Sequence, residues 1–394
     1  MSNNPSCPQL RSDLERIKSL QQEFEAAFER AKETGDLKPV QALKARIEQK
    51  MAELKEKLWP FKELSRQELE RQYQSQKEIF QRTGILERLS TGDLGLKAID
   101  NQEYPFPEIQ DIFKMMRENK EILKTKIEQG FTQLLITPFG MNLDDLTDKY
   151  RRTILKHHKE GKLFAAKKDP NNQNEPLAPL ELNETDPIWQ SSEYANADIS
   201  GALVYDPKEL PTTGEEPDAE KRKQRSQGKT KQAILSQDGA WTIQLTEDLP
   251  NIPRATEDEA EKQKRIKGGR PQLDTSGTSI KKYIEKGETT PSPQEYLKAL
   301  QNDPIYQHEQ GMTPEDQLTY AILHLEQTDQ VIDDWQGNGS ASYQTRAYLP
   351  ASGFVPYARW VRDLRQALLG RLDPDFRGDN YGVRSGVRVK KLRI

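Results

Sequence analysis

The sequence predicts an α+β fold, in which an N-terminal helical, coiled-coil-like arm precedes a mixed domain with long polar insertions. Apolar residues repeat with helical spacing through residues 1–128. A short apolar, β-prone run follows at residues 131–139 and is closed by Pro-Phe-Gly. The C-terminal stretch from residue 348 onwards concentrates Trp, Tyr, Phe and Arg and ends in a strand-like run. Helices first and strands later are typical of the α+β class.

Two apolar stripes near the N-terminus predict a helical hairpin or coiled coil. The stripes are separated by Gly35-Asp-Leu-Lys-Pro39, which breaks the helical pattern. Further helices are predicted over residues 66–89 and 107–129. We expect this arm to be a spacer or a module for self-association, and partner binding by its solvated faces is the alternative. The first stripe is Leu10, Leu14, Ile17, Leu20, Phe24 and Phe28, and the second is Leu43, Ile47, Met51, Leu54 and Leu58.

The second predicted domain covers residues 129–394 and begins with a strand followed directly by a helix. Asn142 is a candidate N-cap, and Asp144 and Asp145 place acidic side chains in the first helical turn. Segments near 206–234 and 254–292 combine Pro, Gly and mixed charge with few apolar residues. Such composition predicts mobile insertions, because it provides too little apolar surface to bury.

Composition provides little support for catalysis. The chain has one cysteine, Cys7, so it forms no disulfide or thiolate cluster within itself. His157 and His158 are adjacent, and adjacent helical residues point about 100° apart, so we expect a helix surface without a metal. His308 and His324 have no recognisable ligand spacing, and the acidic pair Asp333-Asp334 suits a helix end. We therefore expect a non-catalytic protein with no metal and no cofactor.

The charge balance and hydropathy limit the classes of partner. The net charge is −4, which argues against bulk nucleic-acid binding even though the extreme C-terminus is locally basic. No run approaches the ~18 apolar residues that a membrane span needs, and the first residues lack the pattern of a signal peptide. A cytoplasmic location is expected, and display on a cell surface or a virion stays open.

The aromatic-rich tail has two local interpretations. Trp360, Val361, Leu364, Leu368 and Leu372 have helical spacing, which predicts a helix across residues 357–372. Alternatively, the segment is a long polar and aromatic binding loop in which that spacing is accidental.

Motifs in the tail favour the loop. Trp360, Gln366-Ala367 and the run Asn-Tyr-Gly-Val-Arg-Ser-Gly-Val-Arg at residues 380–388 together resemble the end of C-type-lectin-fold proteins related to formylglycine-generating enzymes. The upstream layout is similar, with a strand at 132–136, a helix at 143–159 and a second helix at 314–331. The resemblance covers residues 130–389, its sharpest motif lies in the last thirty or so, and the helical arm is outside it.

The resemblance implies a non-catalytic branch of that lineage. The enzymes use active-site cysteines or a histidine triad, which one cysteine and four scattered histidines do not supply. Variable proteins of diversity-generating retroelements instead carry ligand-binding residues between fixed scaffold positions. The implied scaffold residues are Trp360, Asn380, Gly382 and Arg384. The implied contact residues are Phe354, Tyr357, Arg359, Val361, Asp363, Leu364, Leu368, Arg371, Asp375, Arg377 and Asp379.

The expected function is therefore recognition of a macromolecule, preferably a protein, through a variable-type C-terminal surface. The alternative is a structural protein of phage or cell origin that self-associates through its N-terminal helices and has no specific ligand.

Overall fold

The computed structural model describes residues 7–168, 172–248, 291–378 and 380–389. By their internal contacts, the residues divide into one unit at Met1–Leu69 and a second at Glu70–Ile394. The sequence predicts a boundary at residue 128, and the division by contacts lies before it. Residues between 70 and 128 belong to the second unit, because Gln72 and Gln76 hydrogen-bond to its first long strand and the helix before that strand packs on it.

The first unit contains the predicted helical hairpin. Helix α1 (Cys7–Thr34) and helix α2 (Lys38–Lys57) are joined by a turn in which Gly35 has a φ of 72°, a conformation that favours glycine. Phe24 of the first predicted stripe and Leu43 of the second both pack against a buried cluster of Ala27, Ala31 and Val40, so the two stripes meet at this end of the hairpin.

Helices and a small sheet form the N-terminal part of the second unit. Helix α3 (Arg66–Arg82) ends before the position that the sequence predicts, because residues 83–105 turn into three short strands. The helix predicted over 107–129 is broken at Asn119 into two. The elements are β1 (Glu87–Arg88), β2 (Leu94–Lys97), β3 (Glu103–Pro105), α4 (Ile109–Glu118) and α5 (Lys120–Glu128).

An antiparallel four-stranded sheet joins the beginning and the end of the second unit. Its order is β4-β7-β14-β8, with β4 as an edge strand. Helices α6 and α11 pack on each other, and α11 also packs on β4. The strands are β4 (Phe131–Thr137), β7 (Thr242–Glu247), β8 (Glu309–Gly311) and β14 (Ser385–Arg388), and the helices are α6 (Leu143–Lys159) and α11 (Pro314–Thr328).

A five-stranded sheet carries the aromatic tail. Its order is β13-β9-β11-β12-β5, and its two longest strands form an antiparallel hairpin. The helix and the irregular loop that the sequence predicts as alternatives are therefore both wrong. Cross-strand pairing outweighs the local helical spacing, since strand preference depends mainly on packing with distant neighbours. The strands are β5 (Ile188–Gln190), β9 (Ala341–Tyr343), β11 (Val355–Val361), β12 (Gln366–Leu372) and β13 (Tyr381–Gly382).

The segment near 206–234, predicted to be a mobile insertion, is packed into the second unit. Leu210 is fully buried, and Arg222 donates hydrogen bonds to the carbonyls of Pro350 and Ala351. Its two buried cations, Arg222 and Lys231, have partners inside the fold, which composition alone does not reveal. The insertion predicted near 254–292 lies outside the described residues, apart from its last two positions. The remaining elements are α7 (Ala197–Ser200), β6 (Val204–Tyr205), α8 (Ala219–Ser226), α9 (Lys231–Asp238), α10 (Pro293–Asn302) and β10 (Ala347–Tyr348).

The described residues form both helices and sheets, which confirms the α+β class. None of the helices in the described ranges has the length and apolar character needed to traverse a lipid bilayer.

Candidate ligand-binding site

One face of the β11–β12 hairpin gathers several of the predicted contact residues. Paired residues of adjacent strands point to the same side of a sheet. Arg359 pairs with Leu368, and Leu368 pairs in turn with Trp189 of the edge strand β5. Trp189, Leu368 and Arg359 therefore form one row across three strands. Tyr357 lies on the same face and pairs with Gly370, where a side chain would collide with the tyrosine ring.

Arg359 is held by aromatic side chains, and we call Trp335, Tyr357, Arg359 and Tyr381 the Arg359 cluster. The guanidinium carbon of Arg359 lies 4.1 Å from the ring centroid of Trp335 and 5.5 Å from that of Tyr357. Its Nη1 donates a hydrogen bond of 2.9 Å to the hydroxyl oxygen of Tyr381. Each cation–π contact contributes ~0.5–2 kcal/mol, depending on desolvation. The cluster therefore fixes the position of the arginine before any ligand arrives.

The phenols of the cluster stay neutral near pH 7. Burial raises the pKa of Tyr381 to about 12, although the nearby Arg359 cation opposes this effect. Burial also raises the pKa of Tyr357, again against the charge of Arg359. Neither tyrosine therefore supplies a negative charge that would neutralise the arginine.

The other arginines of the hairpin and its C-terminal extension are paired with carboxylates. The pairs are Arg362 with Asp334, Arg365 with Glu181, Arg371 with Glu193 and Arg377 with Glu295. Arg359 differs from them: across the described ranges, no carboxylate oxygen lies within 4.0 Å of its guanidinium. Its Nε is buried and also makes no hydrogen bond. Arg359 is thus a half-buried cation whose protein contacts are all to uncharged groups.

Exposed apolar and polar side chains flank the Arg359 cluster. Leu364 at the hairpin turn is 51% exposed, and Trp189 at the sheet edge is 44% exposed. Asp363 accepts a hydrogen bond from the side chain of Gln336, the residue after Trp335. An exposed aromatic ring, an exposed leucine and a fixed arginine are the side chains that protein-binding surfaces favour.

Several predicted contact residues have little surface for a ligand. Tyr357, Val361 and Leu368 lie on the same face as Arg359, but they belong to the buried core cluster beside α10. Phe354 lies under the guanidinium of Arg371, with 4.6 Å from the ring centroid to the guanidinium carbon. Asp375 is exposed over most of its surface. The pKa of its carboxyl is raised by the partial loss of solvent around it and by the negative charge of Asp373. Asp379 lies outside the described residues.

The predicted scaffold residues occupy the interior. Trp360 is 1% exposed, and the backbone of Asn380 accepts a hydrogen bond from Ala341. Arg384 is buried and forms an ion pair of 2.7 Å with Asp333. Burial raises the pKa of Asp333 to about 6, although Arg384 and Gln317 oppose this. Gly382 lies in β13, beside Ser342 of β9.

Sequence reasoning missed Trp189, Trp335 and Tyr381 as members of this site. Trp189 and Trp335 stand in polar, turn-rich segments where a tryptophan has no neighbouring apolar stripe to join. That isolation is a usable signal, since it suggests that each ring packs on a distant element. Tyr381 lies within the C-terminal motif, but the motif alone indicates no role for its side chain.

A second polar cluster, at the start of α11, is enclosed. The Nζ of Lys231 lies 2.8 Å from Asp198 and 2.9 Å from Glu315, and all three side chains have no exposed surface. Tyr205 donates a hydrogen bond of 2.6 Å to Glu315. None of the three side chains has exposed surface, so the cluster compensates buried charges within the fold.

The histidines do not form a metal site in the described parts of the chain, where no group of three or more potential ligands converges. His157, predicted to lie on a helix surface, is buried instead. Its Nδ1 is 3.1 Å from Asp329, and its Nε2 is 3.4 Å from Glu326. His157 is buried because helix α11 packs on helix α6.

Comparison with known proteins adds no relative. No family model matches the chain, and neither does a curated protein or a solved structure. Any functional assignment therefore depends on the arrangement of the side chains described above.

Proposed function

We propose that this protein is a non-catalytic ligand-binding protein that recognises a protein partner through the exposed part of the hairpin face. The observation that carries the proposal is the Arg359 cluster, an ordered arginine without a carboxylate partner, flanked by the exposed Trp189 and Leu364. Aromatic and arginine side chains dominate the binding energy of protein interfaces, because they bury large areas and lose little conformational entropy.

We also propose that the second unit is C-type-lectin-like and related to variable proteins of diversity-generating retroelements. Three features support this. Its first long strand and its last strand lie in one sheet, two helices pack beside that sheet, and the segment between Trp360 and Asn380 contains a surface hairpin. Adjacent DNA that encodes a reverse transcriptase and an adenine-varied copy of the segment for residues 354–379 would test the relationship.

The binding proposal is tested by selecting displayed random peptides on the immobilised full-length protein. Trp189→Ala and Leu364→Ala each remove an exposed apolar side chain of the site. We expect the dissociation constant of the enriched peptides to rise ~30-fold for Trp189→Ala, the scale of an interface hot spot. Leu364→Ala should produce a smaller increase in the same direction.

Ile199→Ala is the matched control, since Ile199 is an apolar residue on α7 with a similar exposure of 42%. Its effect on affinity should stay within about twofold. Peptide affinities that are unchanged by Trp189→Ala and Leu364→Ala would overturn the assignment of the binding site to this face.

The alternative function is structural self-association through the first unit. It is favoured by Leu14, Phe28 and Met51, which stay exposed on α1 and α2 although they belong to the apolar stripes. A second copy of the helical hairpin would remove these side chains from water.

A further inference from the structure

The hairpin arginines show a charge asymmetry that the proposed function does not by itself explain. Arg362, Arg365, Arg371 and Arg377 each face a carboxylate, whereas Arg359 faces aromatic rings and one neutral hydroxyl. A partly buried cation is costly when no opposite charge compensates it. An anion from outside the described residues that pairs with Arg359 would therefore offset this cost.

The geometry of Arg359 restricts how such an anion would be bound. A guanidinium carries five N–H donors in a planar fork. Trp335 supports the plane of the fork, and Tyr381 occupies one Nη1 donor. The other Nη donors are engaged by no group of the described residues. A planar carboxylate matches two parallel N–H groups of a guanidinium better than a point charge does.

The surroundings of the cluster favour a carboxylate over a phosphate. Asp363 places a negative charge at the turn of the same hairpin, which disfavours a dianion more than a monoanion. Trp189 and Leu364 offer apolar contact area beside the row that contains Arg359. Together these features match an acidic side chain that is followed or preceded by an apolar one.

We propose that Arg359 binds an aspartate or glutamate carboxylate of the protein partner, with a neighbouring apolar residue packed on Trp189. This inference depends on the proposed function, because it specifies the ligand of the same face. The carboxylate neutralises a guanidinium that the Arg359 cluster has already oriented, so binding costs little side-chain entropy.

The experiment uses the peptides selected on the full-length protein. We expect the enriched sequences to contain an Asp or Glu beside an apolar residue. Replacing that acid in a synthetic peptide by its amide should weaken binding to the unaltered protein ~30-fold, and Arg359→Gln should cause a similar loss for the acidic peptide. The two changes together should lose little more than either one alone, which is the mark of a direct pair.

Arg365→Gln is the charge-matched control, because it removes one positive charge from an exposed arginine that already has Glu181 as its partner. It should change the affinity by less than about threefold. The acid-to-amide change is made in the peptide, so it keeps the inference testable even if Arg359→Gln fails to fold.

Two failures are distinguishable. If Trp189→Ala abolishes peptide binding while the acid-to-amide change and Arg359→Gln do not affect it, the carboxylate inference is overturned and the proposed function stands. If the selected peptides are insensitive to Trp189→Ala, Leu364→Ala and Arg359→Gln alike, both the inference and the proposed function are overturned.

Discussion

At the scale of single residues, the unusual feature of this protein is how many charged side chains are buried with a partner. Lys231, Arg346 and Arg384 are each less than 5% exposed, and each lies within 3 Å of a carboxylate oxygen. A buried ion pair contributes little net stability compared with apolar packing, but removal of one member leaves an uncompensated charge. Substitution of one partner is therefore more damaging than the pair itself is stabilising.

Lys231→Met should destabilise the protein by about 3–5 kcal/mol, because it leaves Asp198 and Glu315 buried without their common cation. Lys229→Met is the control, since Lys229 is exposed two residues earlier and should change stability by less than about 0.5 kcal/mol. Urea unfolding of both variants measures the difference. Equal free energies of unfolding for the two variants would show that Lys231, Asp198 and Glu315 do not form a charged cluster in the folded state.

Glu326 makes stability depend on pH. Burial raises its pKa, but hydrogen bonds from His157 and Arg82 and the charges of Arg82 and Lys156 outweigh burial and lower it from 4.5 to about 2. A lowered folded-state pKa means that the carboxylate contributes its full stability above about pH 4.5. That contribution is lost as the pH falls towards 2.

Wild-type protein should therefore lose its advantage over Glu326→Gln as the pH falls from 4.5 to 2. Urea unfolding at several pH values measures this. A difference that does not change with pH would contradict the assignment.

At the scale of elements, helix α3 takes the place of a missing strand beside β4. The side chain of Gln72 accepts from the backbone N–H of Leu134 and donates to the carbonyl of Thr132. Gln76, one helical turn later, accepts from Ile136 and donates to Leu134. Each amide thus supplies one donor and one acceptor, as a neighbouring strand would. The edge of the sheet is covered without a further strand.

Gln76→Leu should destabilise the protein by about 1–3 kcal/mol for each of the two backbone groups that it leaves buried and unbonded. The amide proton of Ile136 should also exchange faster with solvent. Gln74→Leu is the control, because Gln74 is exposed on the same helix and should have little effect on either measurement. Unchanged exchange at Ile136 together with unchanged stability in Gln76→Leu would show that the Gln76 side chain does not protect this edge of the sheet.

Elements with local signals were predictable, and those that depend on distant partners were not. Helix α6 has the predicted bounds, because Asn142 caps its first turn and its apolar stripe is continuous. The β11–β12 hairpin does not follow from the local pattern, because its apolar residues also fit a helix and its strand partners, Tyr343 and Trp189, lie elsewhere in the chain. Arg359 and Leu364 lie in the hairpin segment that the tail motif indicates, but the Trp335 ring under Arg359 has no signal in the tail itself.

At the scale of the whole molecule, the second unit requires residues that the sequence assigns to the helical arm. Ile112 and Phe113 of α4 are fully buried, and Gln76 of α3 supports β4. A boundary at residue 128 would cut through this unit, whereas residues 1–63 end before Ser65, which accepts a hydrogen bond from the first turn of α3.

Deletion of residues 1–63 should leave a cooperatively unfolding protein, and deletion of residues 1–128 should abolish cooperative thermal unfolding. Calorimetry distinguishes the two.

The mass in solution of the protein that lacks residues 1–63 also tests the alternative function. An oligomer formed by the full chain should become a monomer after this deletion. If the full chain is itself monomeric at all concentrations, self-association through α1 and α2 is excluded.

The position of β14 has a consequence for how the protein is made. This strand lies between β7 and β8, so it pairs on both sides with segments that are synthesised long before it. During translation, β4 and β7 leave the ribosome with an open sheet edge that only residues 385–388 can close. Contacts of such sequence separation form slowly. The nascent chain must therefore keep an unpaired edge soluble until residues 385–388 have emerged, and a premature stop shortly before β14 would release a protein prone to aggregation.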